Sequence, residues 1–310
     1  MSNQPSRTSP GWGVNLLAVG VVFLAVLVPF LFWQQTWFGR ALSDEELQKS
    51  LDLSAKPRKI QHALSQLSER LTSSGPGSIS QWYSLVGRLA EHPVAEVRLT
   101  VAWLMGQDNT ARDFQEYLAK LLQDHNPLVR RNAALSLIDF GNVQGREEIR
   151  RMLLSHEIVA PAYGKLLLRL QKEDTVRPGT LVARIQVDEG EFCEVRSILP
   201  GYVEDHLAEE GAMVSTGQAL VSLAPNEEQV WEALRAMYVV GEINDLAVIE
   251  PFLLINPMLS ERVQQQAHFS IRAIKSRTGP GNTSSTARQV TLDSPPECEP
   301  KDHSSKKRVF

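Results

Sequence analysis

Two stretches of this chain repeat each other, and the spacing between them restricts the fold more than anything else in the sequence. His92–Gly106 (HPVAEVRLTVAWLMG) and His125–Ile138 (HNPLVRRNAALSLI) each carry a Pro, then Val-Arg, then an alanine four positions after the Arg. Val97-Arg98 and Val129-Arg130 lie 32 positions apart. A period in this range signals stacked helix pairs, each too small to bury its own apolar face.

Each match follows another amphipathic stretch. Ile79–Glu91 precedes the first and Phe114–Gln123 the second, with Phe114, Tyr117, Leu118, Leu121 and Leu122 at helical spacing. The unit is therefore a helix, a Pro-containing turn and a second helix. Pro fits the first turn of the second helix, where its missing N–H costs nothing. The pattern D/N-P-x-V-R-x-x-A-A, matched by HNPLVRRNAALSL, resembles HEAT repeats of the short, phycobilisome-lyase type. An earlier unit opens with a capping box at Ser43-Asp44-Glu45-Glu46 and continues from Pro57. Helical patterning returns in Val230–Val240, where Trp231, Leu234, Met237 and Tyr238 fall at i, i+3, i+6 and i+7, and again in Leu246–Leu254 and Glu261–Ile274.

Between these helical stretches the chain duplicates a different unit. Val159–Ile185 and Ser197–Leu223 each read as an apolar strand, a polar turn, a Val, a turn Gly and another strand. Val176 and Gly179 align with Val214 and Gly217 at an offset of 38. Glycine suits turns that need positive φ. One half cannot bury its apolar face alone, whereas two can interlock as a small sandwich. LPGYVEDHLAEEGAMVSTGQALVSLAP resembles the biotinyl/lipoyl-like barrel-sandwich hybrid, which occurs in cofactor-carrier domains and in periplasmic adaptor (membrane-fusion) proteins.

A carrier domain needs a lysine on the hairpin joining its halves. Here that segment is Gln186–Arg196 (QVDEGEFCEVR), and no lysine occurs from Glu173 to Ile274. Biotin and lipoate attachment are therefore excluded, and the adaptor resemblance remains. Arg146–Ser155 reads as a first helix without a following second one, and Val230–Val240 as the missing partner. The β unit is thus expected inside one helical repeat, with Ile149, Met152 and Leu153 packing against Trp231, Leu234 and Met237.

No charge interrupts residues 8–39. Gly13–Trp33 is long enough for a helix of about 32 Å against a hydrocarbon core of about 30 Å. Trp12, Trp33 and Trp37 fit interfacial belts. The run ends in bulky residues without a small-residue cleavage site, which reads as an uncleaved anchor. The basic residues Arg40, Lys49, Lys56, Arg58 and Lys59 favour a cytoplasmic body, whereas the adaptor resemblance favours a periplasmic one.

The remaining residues carry little chemistry. A net charge of −4 gives no pull toward nucleic acid. His62, His92, His125, His156, His206, His268 and His303 do not pair at metal-ligand spacing. Cys193 and Cys298 are too few for a disulfide framework. Phosphate-loop, nucleophile-elbow, zincin and dinucleotide motifs are absent. Arg130, Arg131, Arg146, Arg150 and Arg151 read as a solvated helix face plus the arginine that, as the HEAT resemblance implies, bonds neighbouring repeats. The segment from residue 277, rich in Gly, Pro, Ser and Thr, reads as disordered and ends in Lys306-Lys307-Arg308-Val309-Phe310.

The sequence accordingly predicts a mainly α protein. Its expected order is a tail (1–12), a single transmembrane helix (13–33), HEAT-like repeats (43–155), a barrel-sandwich module (157–225), resumed repeats (226–276) and a disordered tail (277–310). The expected function is a non-enzymatic scaffold or adaptor in an envelope transport or secretion assembly, held in the inner membrane through Gly13–Trp33 with its body in the periplasm. It binds protein partners and has no catalytic, cofactor-binding or metal-binding residues. The alternatives are a cytoplasm-facing membrane scaffold and a HEAT-type lyase, isomerase or enzyme subunit.

Overall fold

The computed structural model of the chain describes residues 12–33, 41–188, 190–254 and 258–278; for 12–18, 31–33 and 278 it describes the backbone alone. The expected N-terminal and C-terminal tails fall outside these residues, apart from Trp12 at one end and Arg277 and Thr278 at the other.

The first helix, α1 (Trp12–Trp33), forms over the expected apolar run. Its described side chains, from Val19 to Phe30, are largely exposed, and none joins any of the three hydrophobic cores. Among the described residues no helix is long and apolar enough to cross a membrane. The expected fold class, a solenoid carried on a transmembrane helix, is corrected accordingly. The expected single-pass, inner-membrane localisation with a periplasmic body is corrected with it. Freedom from charge favours a helix over Gly13–Trp33, but it does not by itself make a span.

The helical body begins with α2 (Asp44–Ser50), whose capping box closes through Glu46 N to Ser43 Oγ at 3.3 Å and Ser43 N to Glu46 Oε2 at 3.0 Å. It continues with α3 (Pro57–Ser74), α4 (Tyr83–Arg88), α5 (Ala95–Gln107), α6 (Phe114–Leu121), α7 (Pro127–Asp139) and α8 (Arg146–Arg151). Pro57 and Pro127 occupy first turns, and Asn126 Oδ1 caps α7 by accepting from Leu128 N at 2.9 Å. The second helices of successive pairs lie side by side, α3 against α5 and α5 against α7. Buried serine hydroxyls tie this layer together: Ser136 Oγ on α7 donates to Ala102 O on α5 at 2.8 Å.

After α8 the chain enters eight strands: β1 (His156–Val159), β2 (Gly164–Leu168), β3 (Thr175–Val176), β4 (Leu181–Asp188), β5 (Glu191–Arg196), β6 (Gly201–His206), β7 (Met213–Val214) and β8 (Ala219–Ala224). They form two antiparallel four-stranded sheets, ordered β1-β8-β6-β3 and β5-β4-β2-β7. The 38-residue duplication fits this order, because each sheet interleaves strands of both copies. Leu166, Val182 and Ile185 of one copy meet Val203, Val214, Leu220 and Leu223 of the other in a single core. Gly164 and Gly201 occupy equivalent places. A Cβ on either would run into a neighbouring-strand carbonyl, that of Gln186 or of Ala224.

The chain then returns to helices: α9 (Glu227–Val240), α10 (Leu246–Ile249) and α11 (Glu261–Thr278). Helix α9 packs on both α7 and α8, and α11 packs on α9. Ile149, Met152 and Leu153, before the strands, share one core with Val230, Leu234 and Met237 after them. Ser270 Oγ on α11 donates to Leu234 O on α9 at 2.7 Å, repeating the serine tie between α7 and α5.

Candidate interaction surface

The repeated arginines each do the same work. Arg98 Nη1 donates to His92 O at 2.7 Å and to Pro93 O at 3.0 Å, closing the turn of its own helix pair. Arg130 Nη1 does likewise to Asp124 O at 2.7 Å and His125 O at 3.3 Å. Each also reaches an acid in the pair that follows. Arg98 grips Asp124 through Nε at 2.6 Å and Nη2 at 2.8 Å, and Arg130 Nε meets Glu148 at 3.4 Å. Burial pushes the Asp124 carboxyl up, but the Arg98 bond, the Asn126 N–H and the Arg98 charge hold it below its usual range.

The other basic residues singled out in the sequence are also paired. Arg146 pairs with Glu242 and lies 4.0 Å from Asp245, which Arg150 approaches at 3.8 Å. Arg151 meets Glu147 and Glu148, each at 3.5 Å. Burial raises the Asp245 carboxyl, opposed by Arg146 and Arg150. Arg131 is buried and bonds Gln229. Four of the five arginines are thus paired with acids, most of them bracing one helix pair against the next, while Arg131 bonds the neutral Gln229. The sequence reading missed the acids and Gln229. Asp124 had a signal, since it directly precedes the His-Asn-Pro turn.

The histidines are scattered. His92 Nδ1 accepts from Val94 N at 3.1 Å, His62 contacts Gln66 at 3.2 Å, and His206 contacts Leu170 O at 3.0 Å. His268 is exposed on α11, and His303 lies outside the described residues. Among the described residues no group of three His, Cys, Asp or Glu could hold a metal ion. Cys193 is a free thiol on β5, whereas Cys298 and Lys306–Arg308 lie outside the described residues. The β4–β5 hairpin, where a carrier lysine would stand, presents exposed Val187 and Phe192. The strand segment's two lysines, Lys165 and Lys172, lie on β2 and in the turn after it.

Several apolar residues of the second-helix layer are only partly covered. On α5, Val97, Val101 and Leu104 are buried, while Leu99 and Trp103, one turn apart, are only partly covered. On α7, Val129, Ala133 and Leu137 are buried, while Leu128, Asn132 and Leu135 are partly covered. Periodicity of 3.6 places these partly covered residues on the opposite helix face. Leu99 and Trp103 are partly covered where they pack against the first helical core, and Leu135 where it packs against the second. Farther along, the ring of Trp231 on α9 is flanked by Arg235 at 4.6 Å and Arg262 at 5.0 Å. The Arg262 guanidinium is itself held by Glu227 at 2.7 Å.

A family model described as HEAT repeats matches residues 84–160, from α4 through β1. Residues 84–160 are thus similar to HEAT repeats, an architecture that generally serves protein–protein interaction. The likeness of the strand segment to adaptor modules is not confirmed by this match. No curated protein matches the chain.

Proposed function

We propose that this chain is a non-enzymatic protein-interaction scaffold that holds an apolar segment of a partner along the strip formed by Leu99, Trp103, Leu128 and Leu135. The supporting observation is that these side chains sit partly open on adjacent helices, while Arg98 and Arg130 on the same helices are paired with acids within the fold. A solenoid's stacked repeats offer an extended binding surface, and Trp within an apolar patch is a typical anchor. The paired arginines and acids shape the surface and do no chemistry on a substrate.

The test is site-specific photo-crosslinking in cells. A crosslinker at Trp103 or Leu135 should capture a discrete partner, and the same group at exposed Arg112 or Lys120 should not. Trp103→Ala should abolish capture from position 135. Equal capture from all four positions would refute the reading.

A further inference from the structure

The strands leave the helices through residues 152–155 and return through residues 225–226, and both joints are short. Leu153, Ala224 and Pro225 are buried there, and β1 pairs with β8 from the first residue, His156 opposite Leu223. At this root lies Arg131 on α7, only 7% exposed. Its Nη1 donates to Gln229 Oε1 at 2.5 Å, and Gln229 Nε2 donates to Met152 O at 2.7 Å. Gln229 is held in turn, its N–H bonding Asn226 Oδ1 at 3.0 Å. One relay thus joins the neighbouring repeat to the point where the chain exits toward the strands and the point where it returns. Burial lowers the guanidinium pKa to about 10, with Glu148 opposing, so the group stays cationic at neutral pH.

Stability alone is a poor explanation for this arrangement. A buried cation is costly, and apolar residues of similar volume commonly do as well or better. Here Arg131 Nε has no hydrogen-bond partner, which adds to the cost. What the guanidinium supplies is direction, because a planar donor accepts only a narrow range of partner geometries. We propose that Arg131 is a positioning residue that fixes the β-strand module at one angle on the helical ladder, so that the two move as one body. A partner would then meet the apolar strip and the module's outer faces at a preset separation.

The experiment uses the full chain with Cys193→Ser and Cys298→Ser. Spin labels on Asp113→Cys and Ser215→Cys report ladder to module, and labels on Asp113→Cys and Glu250→Cys report within the ladder. In the parent both pairs should give a single narrow distance. Arg131→Met should lose that narrow distance for the 113–215 pair and keep it for the 113–250 pair, and Gln229→Leu should do the same. The proposal is overturned if the 113–215 distance stays narrow in Arg131→Met, or if both pairs broaden together, which would make Arg131 a general stabiliser.

Discussion

Arg98 of one helix pair and Asp124 of the next meet in a two-pronged fork, with Nε 2.6 Å from Oδ2 and Nη2 2.8 Å from Oδ1. The same guanidinium closes its own turn through two carbonyls, so one side chain sets both the shape of a repeat and its stacking on the next.

Arg98→Met should therefore cost more than an ordinary surface ion pair. It strands the largely buried Asp124 carboxylate and frees two turn carbonyls, a loss of about 3 kcal/mol. Arg151→Met, whose side chain is mostly exposed, should cost under about 1 kcal/mol. Urea unfolding followed by far-ultraviolet circular dichroism compares the two, and equal midpoints would refute the ranking.

The same pair gives a pH dependence of definite sign. The folded-state pKa of Asp124 lies below the ordinary 3.8, so its contribution to stability is present above 3.8 and lost as pH falls through the folded value. Asp124→Asn should be less stable than the parent at neutral pH, and the gap should close below about pH 3.8. Thermal unfolding across that range decides it; a gap that widens on acidification contradicts the assignment.

Excising the strands should leave the helices standing. His156 and Leu223 are cross-strand neighbours, so the cut ends lie about 5.5 Å apart, within reach of a short Gly/Ser linker. With residues 157–222 replaced, Ile149, Met152, Leu234 and Met237 should still close their core, and the protein should unfold in one cooperative step. Wholesale loss of helicity would show that the module is needed to hold α8 against α9.

What could be read from the sequence was what repeats locally. The Val-Arg-x-x-x-Ala pattern is visible because Arg98 and Arg130 reach their own turns five and six residues back. The duplicated strands show through Gly179 and Gly217, whose φ of 85° and 83° favour glycine in both copies. Elsewhere the two copies share a conformation but not a residue. Glu173 adopts φ 73° where the second copy has Gly211 at 81°, which hides that turn from pattern matching. Glu148, Asp245 and Gln229 were not legible, because they meet partners from other repeats or from across the inserted strands. The charge-free run in α1 was legible as a helix, and reading it as a span went further than the structure supports.

The insertion also orders events at the ribosome. Met152 and Gln229, bonded in the finished protein, are 77 residues apart in sequence. At about 5–20 residues per second, α8 waits roughly 4–15 s for α9 to be synthesised. During that interval Ile149 and Met152 are uncovered, and neither copy of the strand duplication can settle until β8 is made, because each sheet borrows strands from the other copy. The fourth helix pair is thus the last of the first four to close, and the nascent chain is most open to chaperones, or to mispairing with a neighbouring chain, while the strands are emerging.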